Sequence, residues 1–255
     1  MMAIDKTVAT AAEAVADIPD GASIAVGGFG LSGAPMALIE AVLAQGASEL
    51  DIVSNNCGVD DWGLGLLLAA GRIRRMTSSY VGENKEFERR YLTGGLDLVL
   101  TPQGTLAEKL RAGGAGIAAF YTRTGVGTQV AEGGLPVRHA PDGSVALASP
   151  AKEVREFGGA EYVLEESITT DYALLHAKLA DRHGNLVFNK ATRQFAPLAA
   201  QAGRTVIVQV ERLVEPGEID PDQVHLPGVY VHRVLEVGPD IEKRIERRTV
   251  RQGGA

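Results

Sequence analysis

Between a short apolar run, Ser23–Phe29, and a helical pattern after Pro35, the chain reads Gly27-Gly28-Phe29-Gly30-Leu31-Ser32-Gly33-Ala34-Pro35. Glycines accept positive φ and let a ligand reach the backbone without meeting a Cβ. A helix starting there offers free N–H groups and the positive end of its dipole, which suits an anionic or carbonyl ligand. A tight turn with no ligand would use the same residues. Gly28-Phe29-Gly30-Leu31-Ser32-Gly33 also satisfies G-x-G-x-x-G, and Asp51 follows at a tolerable distance. On these residues alone an NAD(P)-dependent Rossmann oxidoreductase competes, whereas a P-loop is excluded because no G-K-[ST] follows.

Three more groups could do chemistry. Asn55 and Asn56 sit in Ser54-Asn55-Asn56-Cys57-Gly58, past an apolar run, where open α/β sheets bind ligands. An Asx-type turn capping a helix near Asp60–Trp62 is the competing reading. Gln103, in Pro102-Gln103-Gly104-Thr105, is a side-chain amide at a helix start. It could donate to a developing oxyanion or simply cap that helix. Glu83, in Gly82-Glu83-Asn84, could be a carboxylate nucleophile or a surface acid. Cys57 has no histidine beside it to act as base and reads as a small partly buried residue. The five histidines have neither H-x-x-x-H nor H-E-x-x-H spacing, so no metal site is expected.

The elements that must position these groups alternate. The apolar run Ser23–Phe29 and the stretches Leu50–Ser54, Ile73–Ser78 and Leu96–Thr101 read as strands. Helical spacing covers Met36–Gln45, Trp62–Ala70, Glu86–Leu92 and Thr105–Arg111. Strands alternating with helices favour an open, largely parallel α/β sheet flanked by helices. The C-terminal half is richer in β signals. Residues 121–142 read as a long structured loop. Strands follow at Ser144–Ala148, Tyr162–Glu165, Asp171–Leu179 and Asn185–Phe188, then a helix at Ala196–Ala202. Thr205–Glu211 (TVIVQVE) is the clearest buried strand. No Pro/Ser-rich linker divides the chain. One domain over residues 1–240 is therefore expected, with a charged, solvated tail over 241–255.

Composition closes off other classes. Of 255 residues 45% are hydrophobic, enough for a packed core. With 25 Lys+Arg against 32 Asp+Glu, the net charge of −7 argues against nucleic acid as partner. No apolar run reaches the eighteen or so residues of a membrane span. Asp5, Glu13, Asp17 and Asp20 speak against a secretory or mitochondrial leader, so the expected location is cytoplasmic. Val8, Ala11, Ala12, Val15 and Ile18 instead read as one face of a helix.

The pattern D-G, two free positions, three apolar residues and G-G-F-x-x-x-G-x-P, met in full from Asp20 to Pro35, resembles the first signature of family I coenzyme A transferases. SNNCGVDDWGLGLLL, SSYVGENKEFERRYLTG, LTPQGTLAEKLRAGGAGI, FYTRTGVGT, EVREF and YVHR extend the likeness over about residues 5–248. These segments look like the A subunit of 3-oxoacid CoA-transferases. Ala118 and Cys57 stand where many relatives have proline and alanine. The resemblance implies the CoA-transferase type fold and ping-pong transfer of CoA from succinyl-CoA to acetoacetate or a similar acid. 3-Oxoadipate and acetate/acetoacetate transferases are the alternatives. It implies a glutamyl-CoA thioester on a B subunit carrying Ser-Glu-Asn-Gly, in an A2B2 assembly. Gly82-Glu83-Asn84-Lys85 lacks the serine and the final glycine, so Glu83 is not taken as the nucleophile. By the same resemblance Gly27, Gly28, Phe29, Gly30, Leu31, Ser32 and Gly33 form the CoA-binding loop. Gln103 is the donor to the thioester or anhydride oxygen, and Asn55 and Asn56 line the pocket. No permanently bound cofactor is expected, only a CoA thioester as substrate.

Overall fold

A computed structural model describes residues 4–245 and the backbone of 248–249. Helix α1 (Ala11–Val15) is shorter than the apolar spacing predicts. Thr10 starts it by accepting from the Glu13 N–H at 3.1 Å, while the Glu13 carboxylate accepts from Ala9 N at 3.0 Å. This reciprocal cap fixes the entry of the chain.

The predicted alternation follows as β1 (Ser23–Val26), α2 (Met36–Gln45), β2 (Leu50–Val53), α3 (Gly65–Ala69), β3 (Ile73–Ser78), α4 (Lys85–Leu92), β4 (Asp97–Leu100) and α5 (Gln103–Gly114). The sheet is completed by β10 (Thr170–Asp181), β12 (Gly203–Val214) and β13 (Arg233–Glu236), with α7 (Ala196–Ala202) between β10 and β12. Its order is β13-β12-β10-β1-β2-β3-β4, all parallel, with a short antiparallel β11 (Leu186–Val187) on β10. The α/β expectation holds. The order reverses between β1 and β10, so the loop after β1 lies at the switch point where open α/β sheets leave a crevice.

Both faces of the central strands are covered, which is why β1 and the middle of β12 read as apolar runs. Ile24, Ile52, Leu38, Ile39, Leu67 and Phe87 make the core on the α2 side. Ala25, Val53, Leu106, Leu110, Ala196 and Ala199 make the core on the α5 and α7 side. α5 ends where its backbone is pressed against a neighbour: a Cβ on Gly113 would sit 1.9 Å from the Ile168 carbonyl oxygen.

Between α5 and β10 the chain leaves the sheet. β5 (Ala119–Thr122), β8 (Val154–Phe157) and β9 (Ala160–Glu166) form an antiparallel sheet ordered β5-β9-β8, and α6 (Gln129–Glu132) precedes the hairpin of β6 (Pro136–His139) and β7 (Val145–Ala148). The stretch expected as a loop over 121–142 thus holds all of α6 and β6 and the end of β5. Every residue of β7 and β8 is exposed, so neither alternates in and out; the strand expected at Ser144–Ala148 is β7, whereas β8 was not expected.

The charged segment expected to be solvated from 241 onward folds back at its start. Lys243 Nζ donates to Glu211 Oε2 at 2.9 Å, and the Arg244 guanidinium lies 4.1 Å from the Trp62 ring centroid. Residues 246, 247 and 250–255 of that segment, like 1–3, lie outside the described residues.

Candidate active site

The glycine segment closes on itself. Phe29 N–H donates to Ser32 O and Ser32 N–H to Phe29 O, each at 3.0 Å, with Gly28, Gly30 and Gly33 at φ values of 123°, 58° and 79°. Gly30 needs the left-handed conformation to turn the tip, a position any other L-residue would strain. The predicted loop residues are not equally presented. Gly27, Gly28 and Leu31 are buried, Ser32 and Gly33 half-buried, and Phe29 and Gly30 exposed.

Asn56, just past β2, holds that tip. Its Oδ1 accepts from Gly30 N–H at 2.9 Å and its Nδ2 donates to Gly30 O at 3.1 Å. Asn55 Nδ2 donates to Asn56 Oδ1 at 3.2 Å, and Gln103 Nε2 donates to Asn55 Oδ1 at 2.8 Å. Ser79 Oγ, past β3, also donates to Asn55 Oδ1 at 2.8 Å. Four predicted residues (Gly30, Asn55, Asn56, Gln103) are therefore joined in one chain at the C-terminal ends of β1, β2 and β4.

The direction of every amide in this chain follows from the backbone. Gly30 offers one donor and one acceptor, so Asn56 can satisfy both in only one orientation. That places an oxygen before Asn55, which must answer with nitrogen and turn its own oxygen toward Gln103. Gln103 then has to present nitrogen. A carboxamide nitrogen carries two N–H groups and Asn55 takes one. Gln103 is exposed, whereas Asn55 and Asn56 are buried, so the spare N–H is at the open end. Buried polar groups fully paired in this way are rigid. Gln103 is the first residue of α5, and no side chain caps that helix. Its amide serves Asn55 instead of the helix.

Over residues 8–237 the chain matches the model of the coenzyme A transferase family. The chain belongs to that family. It is 64% identical over 249 residues, 98% of this chain and 100% of the other, to the A subunit of the probable succinyl-CoA:3-ketoacid coenzyme A transferase of Mycobacterium tuberculosis H37Rv. It is 52% identical over 238 residues to the human mitochondrial succinyl-CoA:3-ketoacid coenzyme A transferase 2, covering 93% of this chain and 46% of that one. The acyl-CoA transferase apoenzyme from Escherichia coli O157:H7 superposes with a TM-score of 0.79 at 24% identity, over 96% of this chain and 50% of that chain. That likeness carries the fold alone. The chain thus spans about half the length of the human and Escherichia coli chains.

Membership of the CoA transferases removes the Rossmann reading, and the geometry gives the reason. A ribose-binding acid belongs at the loop end of its strand, but Asp51 is the second residue of β2, level with Ser23 at the start of β1. It faces Arg74 and Arg75 at 4.0 Å, and burial raises its carboxyl pKa. The Asx-turn alternative for Asn55 and Asn56 also falls away, because Trp62 lies in a turn and α3 begins only at Gly65. Glu83 is exposed, and its neighbour Asn84 caps α4 by accepting from Phe87 N–H at 2.9 Å. Cys57 is wholly buried, which pushes its thiol pKa up to about 12 and leaves it inert. Among the described residues no cluster of His, Cys, Asp or Glu could hold a metal, and no helix is long and apolar enough to cross a membrane. Ser79 is the one member of this cluster that sequence reasoning misses; its signal is a hydroxyl pair, Ser78-Ser79, at the end of β3.

Proposed function

We propose that this chain is the A subunit of a succinyl-CoA:3-oxoacid CoA-transferase, moving CoA from succinyl-CoA to acetoacetate with a B subunit in an A2B2 assembly. The observation that carries this is the directed chain Gly30–Asn56–Asn55–Gln103, which ends in one exposed amide N–H and contains no carboxylate. Such a site can stabilise an oxyanion and cannot by itself attack a thioester. The names of the relatives support succinyl-CoA and a 3-oxo acid as substrates and a second subunit as partner, and the doubled length of the human chain supports the partner.

In this reading a glutamate carboxylate from the B subunit's side of the site adds to the thioester carbonyl carbon, and negative charge grows on the carbonyl oxygen beside Gln103. The C–S bond then breaks, and CoA leaves as thiolate from an acyl-glutamyl anhydride. The thiolate adds to the glutamyl carbonyl and expels succinate, which leaves the glutamyl-CoA thioester. Acetoacetate reverses these steps and departs as its CoA ester, in ping-pong order. Gln103 supplies preorganised electrostatic stabilisation, the contribution that typically dominates acyl transfer. The loop from Gly27 to Gly33 holds the CoA moiety, and Asn55 and Asn56 keep loop and donor in register. Binding energy from the remote part of CoA lowers the barrier at the reacting carbon.

The test is expression with and without a B chain, followed by assay of succinyl-CoA with acetoacetate, 3-oxoadipate and acetate. Transfer to acetoacetate with the highest kcat/KM, only when both chains are present, is the expected result. Full activity of this chain purified alone, or a borohydride-sensitive acyl adduct on it, would defeat the reading. Light scattering of the pair tests the stoichiometry.

A further inference from the structure

The glycine loop runs into α2 through Pro35, and this creates a problem the loop cannot solve. The first N–H groups of a helix have no partner within it, and the residue before the helix usually supplies one from its side chain. Proline has no acceptor there, and α2 carries no side-chain cap of its own. Leu38 is the third residue of α2 and wholly buried, so water cannot pair its N–H.

The missing acceptor comes from across the sheet. Gln209 Oε1, on β12, accepts from Leu38 N at 3.2 Å. Gln209 is fully buried, and its Nε2 faces His176 Nδ1 on β10 at 3.1 Å, the two residues being paired in register. His176 Nε2 lies 3.2 Å from Glu211 Oε1, and Lys243 Nζ donates to Glu211 Oε2 at 2.9 Å. Val26, the last residue of β1, pairs with Leu174, so β10 and β12 overhang β1 and place His176 and Glu211 beside the loop. These two residues, with Leu31, Ser32, Trp62 and Lys243, line a cavity of about 100 Å³ behind it.

The backbone N–H again sets the direction. It demands the Gln209 oxygen, so the Gln209 nitrogen faces His176, whose Nδ1 must then be the unprotonated acceptor. The ring must carry its proton on Nε2, which donates to Glu211. Burial alone would raise the Glu211 pKa, but hydrogen bonds from His176 and Lys243 prevail and hold it below the usual value.

We infer that Gln209, His176, Glu211 and Lys243 are positioning residues that fix the N-terminus of α2, and through it the glycine loop, in the conformation that binds the acyl-CoA. The inference rests on the reading of that loop as the CoA site. It makes the start of the charged C-terminal segment part of the scaffold behind the site. None of the four touches the reacting atoms; their effect is on how well the loop is formed when the thioester arrives.

The test compares Gln209→Leu, which removes the acceptor, with Gln209→Glu, which keeps an oxygen for Leu38. Hydrogen exchange on the full chain should accelerate about tenfold over residues 28–40 in Gln209→Leu while peptides of α5 and α7 stay unchanged. In the assembled enzyme, KM for succinyl-CoA should rise about tenfold with kcat within threefold, and Gln209→Glu, which restores the acceptor for Leu38 but not the donor to His176, should recover part of it. Nitrogen-15 spectra of the His176 ring should give the Nε2–H tautomer. Unchanged loop exchange in folded Gln209→Leu, acceleration spread evenly over the chain, or an Nδ1–H ring would overturn the inference. If Gln209→Leu does not fold, Lys243→Met replaces it, with a twofold to threefold acceleration confined to 28–40 expected and none overturning. Loss of CoA transfer in the wild-type pair would count against the CoA reading alone, because exchange and tautomer are read on the full chain without substrate.

Discussion

Two hydrogen-bonded chains reach the glycine segment from opposite sides, and they end differently. Asn56, Asn55 and Gln103 run outward from Gly30 through neutral amides to an exposed N–H. Gln209, His176 and Glu211 run inward from Leu38 and end on a buried carboxylate neutralised by Lys243. Each takes its direction from the backbone where it starts, the N–H and C=O of Gly30 or the N–H of Leu38. The outer chain keeps a spare donor for a substrate, while the inner chain uses its groups on itself. A polar chain that finishes with a free donor in the open is suited to chemistry. One that finishes on an ion pair is suited to holding a shape.

That contrast predicts kinetic signatures of different kinds. The largest effect belongs to the double variant Gln103→Ala with Gln209→Leu. If the chains act at separate steps, losses in kcat/KM multiply to about a thousandfold, within about 0.5 kcal/mol of additivity. Steady-state kinetics of the two singles and the double decide this, and a double no worse than Gln103→Ala would break the separation. Gln103→Ala alone should lower kcat roughly a hundredfold with little change in KM, as for loss of one oxyanion donor. Next comes Asn56→Leu, which leaves both backbone groups of Gly30 to water or unpaired. It should cost about 1–3 kcal/mol of stability, read by denaturant unfolding, and roughly tenfold in kcat/KM.

The ion pair at the inner end responds more mildly. Lys243→Met should raise KM for the thioester only about twofold to threefold, the order of a half-exposed ion pair. Its partner gives the pH dependence. The folded pKa of Glu211 is lowered, so the ionised carboxylate stabilises the fold above its unfolded value of about 4.3. That contribution is lost as pH falls through the folded value. The gap in Tm between wild type and Glu211→Gln should therefore be full at pH 7 and close progressively below about pH 4. A gap that widens on acidification would mean that Glu211 is not held ionised.

The two chains were not equally legible. Asn55, Asn56 and Gln103 stand in loops directly after strands, and polar residues there invite a functional reading. Gln209 and Glu211 lie inside TVIVQVE, whose apolar majority reads as buried strand and nothing more. A signal was present, since residues two apart share a face and a glutamine and a glutamate on one buried face need partners. Their partner His176 became visible only through the register of β10 with β12. The same limit applies to the fold. α2 was bounded at Met36 and Gln45 because Pro35 and Gly46 flank it, with Gly46 at φ 98° ending the helix. β8 escaped because its residues are exposed on both faces, and β6 because three of its four are half-buried, so neither alternates; β7, as exposed as β8, was legible only as the apolar run Val145–Ala148. The helix expected from Trp62 starts three residues late because that residue is held in a turn through its hydrogen bonds with Val59.

The lack of any ionisable member between Gly30 and the Gln103 amide has a consequence for whoever measures rates. An amide donor set by a peptide group neither gains nor loses a proton across the working range, so the proposed oxyanion donor is itself blind to acidity. On the proposed reading the limbs of a pH–kcat curve for the assembled enzyme should then report carboxylates other than these amides, and substitutions along the amides should lower that curve without sliding it sideways.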